Sequence, residues 1–175
     1  MPELPAAYRW LALPAPPRMI AEALALYGTR EGDGPTDNPA ILGWARALGL
    51  GTYRRDATPW CGLFMAWVAH RAGKPVPAEP LWALSWLRFG AKIPAAALGD
   101  VVCFRRPTGG HVGLYVGEDA AAFHVLGGNQ GDAVSIVRIG RARLAGVRRP
   151  PYATTPASVR PIRLAATGSL SQDEA

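Results

Sequence analysis

Two cysteines and three histidines are the whole stock of soft nucleophiles and imidazole bases in this 175-residue chain. Cys61 follows Thr58-Pro59-Trp60, where Thr is a good helix N-cap and Pro a good first helical residue. That order predicts Cys61 at the third position of a helix, where free backbone N–H groups and the helix dipole favour a thiolate. A thiolate is what a cysteine nucleophile requires. The same N–H groups can hold the oxyanion of a tetrahedral intermediate, so the backbone N–H of Cys61 is the expected oxyanion donor. Tyr53 and Asp56 lie upstream but match no motif.

The base expected for such a thiol is His111, in Gly109-Gly110-His111-Val112-Gly113, where flanking glycines let the ring face a cleft at the mouth of an apolar strand. His70 is a weaker candidate, because it lies nine residues beyond Cys61, roughly 13 Å along a helix. His124 falls inside a strand. A third group is needed to orient the imidazole and select its tautomer. Asn129, in Leu126-Gly127-Gly128-Asn129-Gln130, ends the strand after the one that His111 begins. In an antiparallel hairpin the start of one strand lies beside the end of the next, which makes His111 and Asn129 neighbours. Cys103, mid-strand in Gly99-Asp100-Val101-Val102-Cys103-Phe104, reads as a small core residue. No two Cys or His stand at zinc-ligand spacing, so neither a metal nor another cofactor is expected.

The positioning elements follow from periodicity. Helices are predicted over 19–27 (stopped by Gly28), 39–48 (capped by Asp37 or Asn38), 59–71 (ended by Gly73) and 81–89. From Gly99 the period changes to two, and short strands are predicted over 100–104, 112–118, 123–126, 134–139 and 145–149. Helices first and antiparallel strands second make an α+β domain with a sheet of about five strands. Residues 1–17 are Pro-rich and read as an extended arm, 18–150 as the folded domain, and 151–175 as a Pro/Ser/Thr-rich tail that the core does not need.

Composition bounds the function. The chain is 49 % hydrophobic with six Trp and only 18 % charged residues, which excludes wholesale disorder. No apolar run approaches the ~20 residues of a membrane span, and no basic segment followed by an apolar core marks a signal peptide. The formal charge is +6, with seven Arg and no acid between Arg138 and Arg163. Such a run suits an anionic partner or a solvated surface, and no nucleic-acid-binding signature accompanies it.

The succession Thr-Pro-Trp-Cys, Leu-Gly-Asp-Val-Val, Gly-Gly-His-Val-Gly-Leu-Tyr-Val-Gly and Leu-Gly-Gly-Asn-Gln resembles papain-like bacterial and phage cell-wall hydrolases. The resemblance is to the CHAP group and its NlpC-type relatives, over roughly residues 19–150. Asp37-Asn38-Pro39-Ala40-Ile41-Leu42 and Ser85-Trp86-Leu87 are similar to a phage-associated branch. Trp60 stands where many CHAP members carry Gln and many NlpC-type members Asp.

This resemblance implies a papain-like domain in which Cys61 is nucleophile, His111 general base and acid, and Asn129 the orienting residue. The implied reaction is hydrolysis of a peptidoglycan amide, by an endopeptidase or an N-acetylmuramoyl-L-alanine amidase, with anionic wall polymers or phage tail proteins as further partners. Without a signal peptide, a chain made in the cytoplasm would reach the wall by holin release, virion carriage or injection. Two alternatives stay open: a papain-fold deamidase or acyltransferase, and a non-catalytic structural or binding module of a phage tail. The last predicts a blocked or misaligned Cys61.

Overall fold

Local signals set the helices. The structure, a computed structural model, describes residues 3–12, 14–166 and 168–174. Helix α1 (Arg18–Leu24) begins directly after Pro17, the last proline of the N-terminal run, and buries Met19, Ile20 and Ala23. Helix α2 (Pro39–Ala47) starts as its sequence dictates. The Asn38 side chain accepts the Ala40 N–H at 2.8 Å, Pro39 takes the first position, and Ile41, Trp44 and Ala45 face inward. Helix α3 (Cys61–Arg71) is buried along nearly its whole length, and Gly73, at φ 66°, follows its end.

Helix α3 starts two residues later than the Thr-Pro pair predicts. Trp60 holds φ −121° and ψ 14°, which makes Cys61 the first helical residue and not the third. The reason is tertiary. The Trp60 indole is wholly buried, packs against Trp44 at 6.2 Å between centroids, and donates Nε1–H to Glu31. Gly62 next to the nucleophile candidate has no room for a side chain, because a Cβ there would overlap the carbonyl oxygens of Pro80 and Leu81. The expected short helix near 81–89 is a 3-10 helix, Ala83–Arg88.

The strands are β1 (Ala91–Lys92), β2 (Val101–Arg106), β3 (Gly109–Glu118), β4 (Ala122–Gly127), β5 (Ser135–Gly140) and β6 (Leu144–Arg149). They form one antiparallel sheet in the order β1-β6-β2-β3-β4-β5. Alternation along the strands splits the core in two. Val101, Cys103, Val112, Leu114 and Val116 join the helices, while Val102, Phe104, Tyr115, Phe123, Val125 and Ile139 build a second cluster on the other face. The fold is thus α+β, with helices packed on an antiparallel sheet. No helix of the described residues is long and apolar enough to cross a membrane.

Both flanking stretches depart from expectation. Ala6–Ala12 is a 3-10 helix, not extended chain, and it buries Tyr8 and Leu11. The Tyr8 hydroxyl donates to Nδ1 of the buried His124 at 2.7 Å, whose Nε2–H donates to Asp119 at 2.8 Å. The described residues after Pro150 form no strand, yet they are bound to the sheet. Leu98 N–H donates to Arg160 O, Glu118 N–H to Ile162 O, the Tyr115 hydroxyl to Ile162 O, and Leu164 N–H to Glu118 O. Positions 1, 2, 13, 167 and 175 of these stretches lie outside the described residues.

The basic run is engaged internally. Arg138 pairs with Asp119, Arg141 and Arg163 with Glu118, Arg143 with Glu174 and Arg149 with Asp100. Arg148 donates to the carbonyls of Phe89 and Gly90. The run therefore serves mainly to tie segments together.

Candidate active site

Helix α3 and strand β3 bring the two chemistry-bearing segments together. Cys61 is 3 % exposed, and its sulfur faces the backbone N–H groups of Val112, Gly62 and Cys61 itself. Val112 immediately follows His111, so the nucleophile candidate abuts the strand that carries the base candidate. Burial pushes the Cys61 thiol up, against the opposing pull of those N–H groups and of Arg106. The resting sulfur is a thiol, where the helix-start reading alone expects a thiolate.

His111 is fully buried, and burial brings its pKa down to about 4. The ring is accordingly neutral at pH 7, and its tautomer can be deduced. Gln130 donates its amide Nε2–H groups to Val125 O at 3.2 Å and Ser135 O at 2.7 Å. The other end of that carboxamide, Oε1, lies 3.0 Å from His111 Nε2. A carbonyl oxygen only accepts, so Nε2 carries the proton and Nδ1 presents a bare lone pair. That Nδ1 is buried and has no hydrogen-bond partner among the described residues. No hydrogen bond joins it to Cys61 in this resting arrangement.

The residue that holds the ring is therefore Gln130, where Asn129 was expected. Extending the β3–β4 register from Leu114↔Leu126 would place His111 opposite position 129, but paired strand ends at Gly127. Beyond it the chain turns, and Asn129 adopts φ 57°, a left-handed conformation that Asn tolerates well. The turn aims the next side chain at the imidazole. Gln has the same donors and acceptor as Asn on a longer stem, so from one position further along it offers the imidazole the same kind of acceptor.

The remaining candidates have other tasks. His70 ends α3 exposed and stacked on Trp67, while His124 belongs to the Tyr8–Asp119 network. Cys103 is core, its thiol pushed up to about 12 mainly by burial. Tyr53 donates its hydroxyl to Thr58 O, and Asp56 accepts the N–H groups of Gly32 and Asn38. Both are occupied in holding the loops before α3. Among the described residues no group of His, Cys, Asp and Glu could hold a metal ion.

One further part of the site was not foreseen. Glu174 is fully buried near His111, and its carboxylate lies 2.7 Å and 3.0 Å from the two Nη atoms of Arg143. The Glu174 carbonyl accepts from Arg106, and the Asp173 carbonyl accepts the N–H of Gly131, next to Gln130. In sequence this stretch has no period and no motif to mark it.

No protein-family pattern matches the chain. No curated protein matches it either. Among solved structures it is similar to a crystal structure from Staphylococcus aureus subsp. aureus Mu50, described as similar to lipoprotein, NLP/P60 family. That similarity has a TM-score of 0.45 at 21 % identity, and covers 75 % of this chain and 40 % of the other.

Proposed function

We propose that this chain is a cysteine hydrolase that cleaves an amide bond of peptidoglycan. The observation that carries the reading is the bare Nδ1 of His111, fixed by Gln130 on the strand whose next N–H meets the Cys61 sulfur. Substrate binding brings Sγ and Nδ1 into contact. The thiol proton passes to Nδ1, the sulfur attacks the carbonyl carbon, and the carbonyl π pair moves to oxygen. Backbone N–H groups at the start of α3, that of Cys61 first, receive the oxyanion. Nδ1–H then protonates the departing nitrogen as the C–N bond breaks. Water then gives a proton to Nδ1 as its oxygen bonds the acyl carbon; the C–S bond breaks, the acid departs, and the Nδ1 proton returns to sulfur to restore the thiol.

Gln130 acts as a positioning residue. Throughout the cycle Nε2–H stays bonded to Oε1, so the imidazolium charge is met by a carbonyl dipole. Asn129 holds the turn that delivers Gln130. Peptidoglycan as substrate is supported by the resemblance of the Cys, Gly-His and Gly-Gly-Asn-Gln segments to cell-wall hydrolases, whose phage branch also suggests delivery by holin or virion.

Digestion of purified sacculi followed by mass spectrometry tests the reading: new amine and carboxyl termini should appear with the chain and not with Cys61→Ser. The closed site, with Cys61 buried and not bonded to His111, favours one second reading, a non-catalytic tail module. Absence of product, both from the full chain and from one lacking residues 169–175, would overturn the peptidoglycan reading and leave that module standing.

A further inference from the structure

Segment 169–174 runs across the site in the manner of a bound peptide. Ser171 N–H donates to Arg138 O on β5, Asp173 O accepts from Gly131 N–H, and Glu174 O accepts from Arg106 Nη1 at 2.6 Å. Gly131 is one residue past Gln130, while Arg106 pairs across the β2–β3 hairpin with Gly109, two residues before His111. The segment thus spans from one side of the imidazole to the other. The charges of both Glu174 and Arg106 are felt at His111.

The socket that receives Glu174 is centred on Arg143, between β5 and β6. Arg143 is held by a bond from its Nε–H to Arg105 O at 3.3 Å, and its two Nη atoms grip the carboxylate in the forked, two-bond geometry specific to that group, Nη1 also donating to Ser171 O at 3.4 Å. A buried carboxylate is tolerated only when so paired. Beside the socket, Arg106, Pro107, Thr108, Arg143 and Gln172 line a recess of about 380 Å³, enough for a neighbouring residue of a peptide.

We propose that Arg143 forms a carboxylate-binding subsite of the catalytic cleft, with Arg106 holding the adjoining backbone carbonyl, that the subsite is filled at rest by the chain's own Glu174, and that the substrate is an acidic peptide whose carboxylate displaces it. This deepens the hydrolase reading and rests on it. Segment 169–174 is an internal occupant: the carbonyls of Ser171, Asp173 and Glu174 are gripped as those of a substrate strand would be, and its acidic side chain reports which substrate side chain the cleft accepts.

The experiment uses a chain lacking residues 169–175 and a synthetic peptide of residues 169–174, Ser-Leu-Ser-Gln-Asp-Glu. Iodoacetamide should alkylate Cys61 at least tenfold faster in the shortened chain, with Cys103 unreactive in both, and added peptide should restore protection. A peptide carrying Glu174→Gln should bind about tenfold more weakly in titration calorimetry, the loss expected for a charge-assisted pair made neutral. Arg143→Met in the shortened chain should erase the difference between the two peptides. In the full chain Glu174→Gln, which keeps the shape, should also speed alkylation of Cys61. Equal binding of the two peptides, or unchanged Cys61 reactivity on removing the segment, would overturn the proposal. Neither readout requires turnover. Charge-dependent binding without release of product from sacculi would sink the hydrolase and leave the subsite standing; product release with charge-blind binding would do the reverse.

Discussion

Replacing Gln130 by Ala separates the two candidates for the orienting residue. The variant removes the acceptor of a buried imidazole N–H and the donors to Val125 O and Ser135 O. A buried group left unsatisfied costs about 1–3 kcal/mol, and water entering the vacated space offsets part of three such losses, which leaves a destabilisation of about 2–3 kcal/mol. For a domain of this size that lowers the Tm by roughly 5–10 °C. The ring is then free to reorient and to move its proton to Nδ1, which should cut the rate of product release from sacculi about 10–100-fold. The direct assay is the imidazole region of a ¹⁵N–¹H spectrum at pH 7. The parent chain should show His111 as the Nε2–H tautomer, and Gln130→Ala a mixture. Asn129→Ala should keep the parent tautomer and lose about 1 kcal/mol for a left-handed Ala. If Asn129→Ala disturbs the tautomer or abolishes activity while Gln130→Ala does neither, the assignment of Gln130 is refuted.

Truncation after Pro151 removes the partners of Leu98 N–H, the Tyr115 hydroxyl and both backbone groups of Glu118, at about 1 kcal/mol each, so the Tm should fall by roughly 10 °C; a shift within about 2 °C would show that the stretch contributes nothing. His111 binds a proton near pH 6.5 when unfolded and only at about 4 when folded, so its share of stability is complete above pH 6.5 and is lost as pH falls towards 4. That window is worth about 3 kcal/mol, and urea unfolding at pH 7.5 and 4.5 should show a steeper acid loss in the parent than in His111→Gln; equal slopes would count against a buried neutral ring. Tyr8→Phe leaves Nδ1 of His124 without its donor and should cost about 1–3 kcal/mol in the same assay, whereas a neutral result would mean that water replaces the hydroxyl.

What could be read before the fold was known was local. Helix α2 follows its cap and its proline to within a residue, because Asn38 and Pro39 act on their own backbone. The strands fall within three residues of expectation because alternation is a property of each segment alone. The start of α3 was missed by two residues because Trp60 answers to Trp44 and Glu31, distant in sequence. The two residues of β1 carry no period. Hairpin register reached Asn129, and only the left-handed turn, which no pairing rule contains, moved the contact to Gln130. The described residues after Pro150 are bound through scattered single backbone groups, the Arg163–Glu118 pair and the Arg143–Glu174 fork, and such contacts leave no periodic trace.

The strand order has a consequence for how the chain is made. Strands β2 to β5 are successive hairpin partners, so a nascent chain that has reached Gly140 can already assemble a four-stranded meander by local closures of microsecond type. One edge of that meander is β2, whose outer partner β6 pairs Val101 with Arg148, a closure that must wait for later synthesis. Until then Val101–Phe104, four apolar residues in a row, present unpaired N–H and C=O groups to any neighbouring chain, the arrangement most prone to intermolecular strand addition. Arrival of β6 covers that edge and shifts the free one to β1, only two residues long, exposed and bearing Lys92. This edge of the finished sheet is thereby shielded from the aggregation to which its own precursor on the ribosome is open.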